Sequence, residues 1–377
     1  MIINDVKYKV NLNILPVDWD LKNHLEKGII NISENITTLG DGVCRDIENM
    51  SGNVIIPDNI INLGNYTFSD NIIDTIQFSK NLERIGDYCF NSCNKLETID
   101  LSNCNKLETI GENAFRGCNR LISILLPSSI TYLGDSCFNQ CTRLPSIDLS
   151  NCNHLTNISN GVFSYCKGLT NFILPQTINS LGTASLQPNI TYSMWDGCFS
   201  GCTSLESIDL SSYPNLVVLG VYTFTECTNL TSVILPNNVT DICYRCFSSC
   251  SSLPSISIPS SVNNIGDGCF QYCSLLENVD FNVATSLKSI DSNCFSNCSS
   301  LKTIDLSNCL SLHSIGVLCF GNCTSLTSIT LPSSVTSIGA FCFNGCSNLK
   351  TITINKPQNS ISGAPWGATS ATVIWNG

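Results

Sequence analysis

Hydrophobic positions recur along most of the chain in units of 23 or 25 residues. Each unit reads Cys-x-x-Leu-x-x-Ile-x-Leu, then a polar connector, then Ile/Leu-Gly-x-x-Cys/Ala-Phe-x-x-Cys. In LESIDL (205–210) apolar Ile208 and Leu210 alternate with polar residues, which predicts a short strand with one buried face. In IGDGCFQYC (265–273) the apolar residues have i, i+4, i+5, i+8 spacing, which predicts a short helical turn.

One short strand and one turn cannot bury an apolar face alone, so neighbouring units must stack. Counting Phe-x-x-Cys and its degenerate copies gives about thirteen units over residues 31–354, with an insertion at 183–195. The pattern therefore predicts a curved α/β repeat solenoid. Residues 1–30 are expected to form an N-terminal cap segment, with a short helix over 18–28, and residues 355–377 a C-terminal cap.

Two stretches of the repeat resemble a known family. LETIDLSNCNKL (96–107) fits the leucine-rich repeat pattern L-x-x-L-x-L-x-x-C. LTSITLPSSVTSIGAFCFNGCSNL (326–349) resembles the BspA-type, or Treponema-type, leucine-rich repeats, and GAPWGATSATVIWNG (363–377) resembles the tail that closes such arrays. The resemblance implies a curved solenoid used for binding, often for attachment to host proteins, other cells or matrix, and it implies no chemistry.

Composition narrows the classes of partner. The formal net charge is −11, whereas nucleic-acid binding requires Lys and Arg against phosphates, so no nucleic acid is expected. No run of about 18 apolar residues is present, so no membrane insertion is expected. The opening MIINDVKYKVNLNILPVDWD does not resemble a signal peptide. Family resemblance favours a cell-surface or extracellular location, while the opening segment and the cysteines leave a cytoplasmic or virion-associated one open.

The 24 cysteines follow the repeat. Eight units carry Cys-Phe-x-x-Cys, and three others replace the first cysteine by Ala114, Val162 or Thr223. These replacements favour a packing role for the cysteines, because a free cysteine behaves as a small buried hydrophobe. Disulfides between units and a zinc site pooled from neighbouring units are the alternatives.

No grouping typical of an enzyme occurs, and the three histidines lie in unrelated units. Catalytic residues, cofactors and metals are therefore not expected. A calcium site at Asp280 and Asp305, which belong to adjacent units, is a minor alternative to two solvated carboxylates.

The outward positions of the predicted strands form two columns. One contains Ser, Thr and Asn, and the other alternates acidic and aliphatic residues over its first six positions. Exposed aliphatics on a strand are candidates for a partner contact, and aromatic residues in an insertion are candidates for a contact hot spot. The candidate partner-binding residues are Asp100, Leu125, Asp148, Ile173, Asp209 and Ile234 on the strands, with Tyr192, Met194 and Trp195 in the insertion.

The alternative for this column is local structure. The aspartates could bond neighbouring backbone or Ser and Thr side chains, the aliphatics could supply β-propensity, and Trp195 could cover the array. The favoured function is a non-enzymatic binding or adhesion protein that recognises a protein or glycan through the concave sheet and the insertion loop. The alternative function is a structural subunit of a particle or filament, and the oligomeric state stays open.

Overall fold

The computed structural model describes residues 14–15, 25–26, 29–30, 33–46, 51–184 and 196–377. Its chain forms two compact units, Met1–Cys141 and Thr142–Gly377. In both units a typical repeat contributes three segments in order: a long strand, a short strand of two residues, and a turn that contains Phe-x-x-Cys. We call this turn the cysteine turn, and the name includes the degenerate copies at Cys44 and Phe68.

In the first unit the short strands form a six-stranded parallel sheet in the order β1-β4-β6-β8-β10-β12. The long strands β5, β7, β9 and β11 lie in the sheets β2-β3-β5-β7 and β9-β11, and in the first of these the two-residue strands β2 and β3 pair antiparallel. The strands are β1 (Ile14–Leu15), β2 (Leu25–Glu26), β3 (Ile29–Ile30), β4 (Thr38–Leu39), β5 (Ser51–Ile55), β6 (Asn62–Leu63), β7 (Ile72–Gln77), β8 (Arg84–Ile85), β9 (Thr98–Asp100), β10 (Thr109–Ile110), β11 (Ser123–Leu125) and β12 (Tyr132–Leu133).

The second unit repeats this plan. Its short strands form an eight-stranded sheet from β14 to β28, and its long strands pair as β13-β15, β17-β19, β21-β23 and β25-β27-β29-β30. The strands are β13 (Ser146–Asp148), β14 (Asn157–Ile158), β15 (Asn171–Ile173), β16 (Ser180–Leu181), β17 (Ser207–Asp209), β18 (Val218–Leu219), β19 (Ser232–Ile234), β20 (Asp241–Ile242), β21 (Ser255–Ser257), β22 (Asn264–Ile265), β23 (Asn278–Asp280), β24 (Ser289–Ile290), β25 (Thr303–Asp305), β26 (Ser314–Ile315), β27 (Ser328–Leu331), β28 (Ser337–Ile338), β29 (Thr351–Ile354) and β30 (Thr372–Trp375).

The long strands form where the sequence alternates. In β9 the side chain of Ile99 is buried and those of Thr98 and Asp100 are exposed, as a strand with one face on the core requires. Each short strand from β4 onward ends in a buried aliphatic residue, commonly followed by glycine. A Cβ added at Gly111 would lie 2.6 Å from the backbone N of Asp87, so neighbouring repeats approach too closely for any side chain there.

The predicted helical turns are wrong: the residues described contain strands and hydrogen-bonded turns but no α-helix. The N–H groups of Tyr88, Phe90 and Ser92 each donate to a carbonyl oxygen of the next cysteine turn at 2.7 Å. Donors used between repeats cannot make i to i−4 bonds within a helix. The backbone also turns left-handed at Tyr88 (φ 55°) and Ser92 (φ 60°), which breaks any helical run.

The two ends continue the ladders. Ile14–Leu15 pairs in parallel with Thr38–Leu39, and Leu25–Glu26 pairs antiparallel with Ile29–Ile30. The predicted helix over 18–28 is therefore wrong at residues 25 and 26, which form a strand. Residues 16–24 and 27–28 lie outside those described. At the other end β30 pairs with β29 and Trp366 is buried. The boundaries of both caps stay predictions.

The core contains one stack of phenylalanine rings in each unit. Ring centroids of successive cysteine turns lie 5.1–5.4 Å apart in the first unit and 5.4–5.7 Å apart in the second, with interplanar angles of 17° or less. The stacked rings are Phe68, Phe90, Phe115 and Phe138 in the first unit and Phe163, Phe199, Phe224, Phe247, Phe270, Phe295, Phe320 and Phe343 in the second. The ring separation follows the spacing of the repeats, roughly 4.8 Å between strands.

We expect Phe270→Ala to lower the free energy of unfolding by about 3–5 kcal/mol, because it removes a fully buried ring from the middle of a stack. Urea denaturation followed by circular dichroism measures this change. Tyr272→Ala, two residues further on and 52% exposed, serves as the control and should change stability by about 0.5 kcal/mol or less. Equal effects of the two substitutions would contradict a stacked-ring core.

Candidate functional site

The candidate strand residues lie on the outer faces of the long strands, in three pairs. The first unit pairs Asp100 with Leu125 across β9 and β11. In the second unit β13 and β15 pair Asp148 with Ile173, and the same arrangement recurs in β17 and β19. There Asp209 pairs with Ile234. We call these three pairs of neighbouring residues the Asp–aliphatic pairs.

All six side chains of the Asp–aliphatic pairs are exposed. Leu125, Ile173 and Ile234 expose 52%, 42% and 49% of their surface. Since a strand residue next to a buried one must point outward, the alternation along β9, β13 and β17 places the aspartates on the solvent side. The aliphatic partners in β11, β15 and β19 are in register with these aspartates, so they point to the same side of the sheet.

The three aspartates also have a local role, as the alternative in the sequence analysis anticipates. In each, Oδ1 accepts the backbone N–H of the serine two residues further on at 2.9–3.0 Å. In Asp100 and Asp209 the same oxygen also accepts the serine hydroxyl at 2.6 Å. This bond makes the turn that follows the strand and holds the carboxylate in one orientation.

In two of the three aspartates these bonds also lower the pKa of the carboxyl group. The side-chain hydrogen bond from Ser150, with its backbone N–H, lowers the pKa of Asp148 below its ordinary value, and Ser211 lowers the pKa of Asp209 in the same way. The ion pairs seen in the described part of the chain do not involve the Asp–aliphatic pairs. They join Arg45 to Asp70, Lys80 to Asp58, and Lys302 to Glu277.

The insertion is only partly described. Tyr192, Met194 and Trp195 lie outside the described residues, so their role stays a prediction. At the start of the insertion, the carbonyl of Ala184 accepts the thiol of Cys243 at 3.0 Å, which ties this end to the repeat array.

Within the described ranges, His, Cys, Asp and Glu side chains do not gather in threes as a metal site would require. The two aspartates of the calcium alternative make the local bond seen in the Asp–aliphatic pairs. Asp280 accepts the N–H of Asn282, and Asp305 that of Ser307, both at 2.9 Å. In the same ranges no helix has the length and apolar character needed to cross a membrane.

All 24 cysteines are free thiols and are buried. In ten cysteine turns the second cysteine donates its thiol to the carbonyl of the phenylalanine in the preceding turn, at sulfur–oxygen distances of 3.0–3.4 Å. The ten donors are Cys93, Cys118, Cys141, Cys202, Cys227, Cys250, Cys273, Cys298, Cys323 and Cys346.

Sequence reasoning missed these thiol bonds, although the repeat carries a signal for them. The first cysteine of the motif is replaced by Ala, Val or Thr in three units, whereas in the degenerate copy at Phe68 the second is replaced by Asn71, which also donates to a carbonyl of the preceding turn. Burial raises the pKa of Cys273 to about 12, so this thiol stays protonated at neutral pH. A protonated buried thiol is a packing group and a weak donor, and it is neither a nucleophile nor a metal ligand.

The stacked strands and turns define a leucine-rich repeat solenoid of about 14 turns. The family model for the BspA type leucine rich repeat region matches residues 22–107, 104–193, 192–308 and 279–370. The chain belongs to the BspA-type leucine-rich repeat family.

Solved structures of bacterial proteins share the fold. A leucine-rich repeat protein from Bacteroides ovatus is 27% identical, with a TM-score of 0.53 over 88% of this chain and 93% of that one. A leucine rich cell surface protein from Faecalibacterium prausnitzii is 23% identical, with a TM-score of 0.50 over 86% of this chain and 84% of that one. The search of curated proteins found no match.

We expect Cys298→Ala to cost about 1 kcal/mol more than Cys294→Ala in urea denaturation. The first substitution leaves the buried carbonyl of Phe270 without its thiol donor, and the second places an alanine where the repeat at Ala114 already has one. Equal costs for the two cysteines would show that the thiol–carbonyl bond does not contribute.

Proposed function

We propose that the protein is a non-enzymatic binding or adhesion protein that recognises a protein or glycan partner through the outer faces of its long strands. The insertion at 183–195, with Tyr192, Met194 and Trp195, supplies a further contact. The observation that carries the proposal is the set of Asp–aliphatic pairs, in which exposed aliphatic side chains lie beside carboxylates that are oriented by hydrogen bonds.

Exposed aliphatics on a strand face are a cost in water unless a partner covers them, and charged neighbours keep such a surface soluble. Because the long strands belong to stacked ladders, their backbone does not have to be ordered on binding. A surface ordered before binding loses less conformational entropy when a partner docks. The outer faces of the long strands therefore suit recognition better than the turns do.

The family supports the same class of function. BspA-type leucine-rich repeat proteins are generally surface-associated and mediate interactions. The F. prausnitzii relative is a cell surface protein, and we propose a cell-surface or extracellular location for this chain as well. The cysteines agree with a binding scaffold, because buried thiols contribute packing rather than chemistry.

The test is a comparison of two triple variants on arrays of matrix proteins, cell-surface proteins and glycans. Replacing Leu125, Ile173 and Ile234 by serine should weaken binding at least about tenfold, since it removes the apolar contact while the melting temperature stays close to that of the wild type. Serine already occupies outward positions of the long strands, so the strands should tolerate it.

The control replaces three aliphatic residues that lie in turns and are somewhat more exposed than those of the strands. Leu275, Val283 and Leu310 expose 54%, 56% and 67% of their surface, and their replacement by serine should leave array binding unchanged. If the strand variant retained binding, or if the turn variant lost it equally, the long-strand face would not be the binding surface.

A further inference from the structure

We propose that each Asp–aliphatic pair receives one lysine or arginine side chain of a protein partner. The hydrocarbon stem packs on the leucine or isoleucine, and the cationic group meets the carboxylate. The inference rests on the proposed function and deepens it, because it selects a basic protein segment over a glycan.

The first step is the spacing. The two members of a pair are direct neighbours in a parallel ladder, Asp148 with Ile173 for instance, so their backbones lie roughly 4.8 Å apart. Both side chains leave the same face of the sheet. A carboxylate and an aliphatic group of adjacent strands thus form one continuous patch, polar at one side and apolar at the other.

The second step is the carboxylate. Its Oδ1 accepts hydrogen bonds from the following serine, which orients the group. In Asp100 and Asp209 both hydrogen bonds from the serine go to Oδ1, and the ion pairs in the described part of the chain do not involve the three aspartates. A carboxylate has about four acceptor positions, so a cation can bind without breaking the turn.

The third step is the match to the occupant. Lysine and arginine join an aliphatic stem to a cationic head, and they bury the stem along apolar surface while the head stays polar. A sugar presents hydroxyl groups along its length, and these would leave Leu125, Ile173 and Ile234 without an apolar partner. The net charge of −11 adds a long-range attraction for a basic segment.

The experiment uses three synthetic peptides and the full chain, with binding measured by fluorescence anisotropy at physiological ionic strength. The first peptide is acetyl-(Lys-Ser)5-amide. The second replaces each lysine by 2,4-diaminobutyrate, which keeps the charge and shortens the stem by two methylenes, and the third replaces lysine by glutamate. We expect the lysine peptide to bind about fivefold more tightly than the diaminobutyrate peptide, and the glutamate peptide not to bind.

Two sets of variants separate this site from general electrostatic attraction. Changing Asp100, Asp148 and Asp209 to asparagine removes three charges but keeps the oxygen that accepts the serine N–H. This set should lower the affinity for the lysine peptide at least about tenfold. The control set removes three charges from positions that follow the short strands and should lower the affinity for the lysine peptide less than about twofold. Its substitutions are Asp87→Asn, Glu112→Gln and Asp267→Asn.

Equal affinity of the lysine and diaminobutyrate peptides, equal loss in the two variant sets, or the absence of lysine-peptide binding would overturn the inference. The array experiment tells this failure apart from failure of the proposed function. A glycan or an acidic protein that binds on the array and is lost in the strand variant would uphold a binding face while excluding a basic partner. If the chain bound neither the arrays nor the lysine peptide, both the proposed function and this inference would be rejected.

Discussion

The whole structure depends on the hydrogen bonds between one cysteine turn and the next. Within each unit most turns donate three N–H groups to the following turn, as Tyr88, Phe90 and Ser92 do, and this sets the distance between repeats. That distance explains the residues of the motif: a flat phenylalanine ring stacks at the same spacing, and a thiol is small enough to fit beside it and still reach a carbonyl. It also explains the glycines after the short strands, where a side chain would strike the neighbouring backbone.

This constraint leaves the outward positions for recognition. Every inward position must repeat, because each repeat is covered by its neighbours. The outward residues obey no such rule, and the connector that follows each strand determines them in part. An Asp-Leu-Ser connector uses its aspartate to start the turn, whereas a Leu-Pro connector allows an aliphatic residue at the same position. In three places neighbouring connectors of the two kinds thus put a carboxylate beside an aliphatic side chain, whereas Asp280 lies beside Ser257 and Asp305 beside Thr330.

The periodicity of the sequence was enough to predict the long strands, the buried positions and the family, because burial repeats with the same period as the chain. The ladder of short strands was not predicted, because residues such as Ile265 were assigned to the helical turn. The helical turns were predicted wrongly, because two left-handed residues four apart produce the same apolar spacing as a helix. Tyr88 shows why the sequence hides this: a non-glycine residue with positive φ carries no marker. The exposed Asp–aliphatic pairs were predictable from alternation, but their contribution to binding depends on a partner that the chain alone does not name.

The most direct test of the stacked-turn account is a count of reactive thiols on native and denatured protein, with the intact mass, after purification without reductant. The account predicts no rapidly reacting thiol in the native protein and 24 on denaturation, because all the cysteines are buried and free. A mass lower by two hydrogens for each cysteine pair would reveal disulfides between repeats. Disulfides would contradict a core in which the second cysteine donates its thiol proton to the preceding turn.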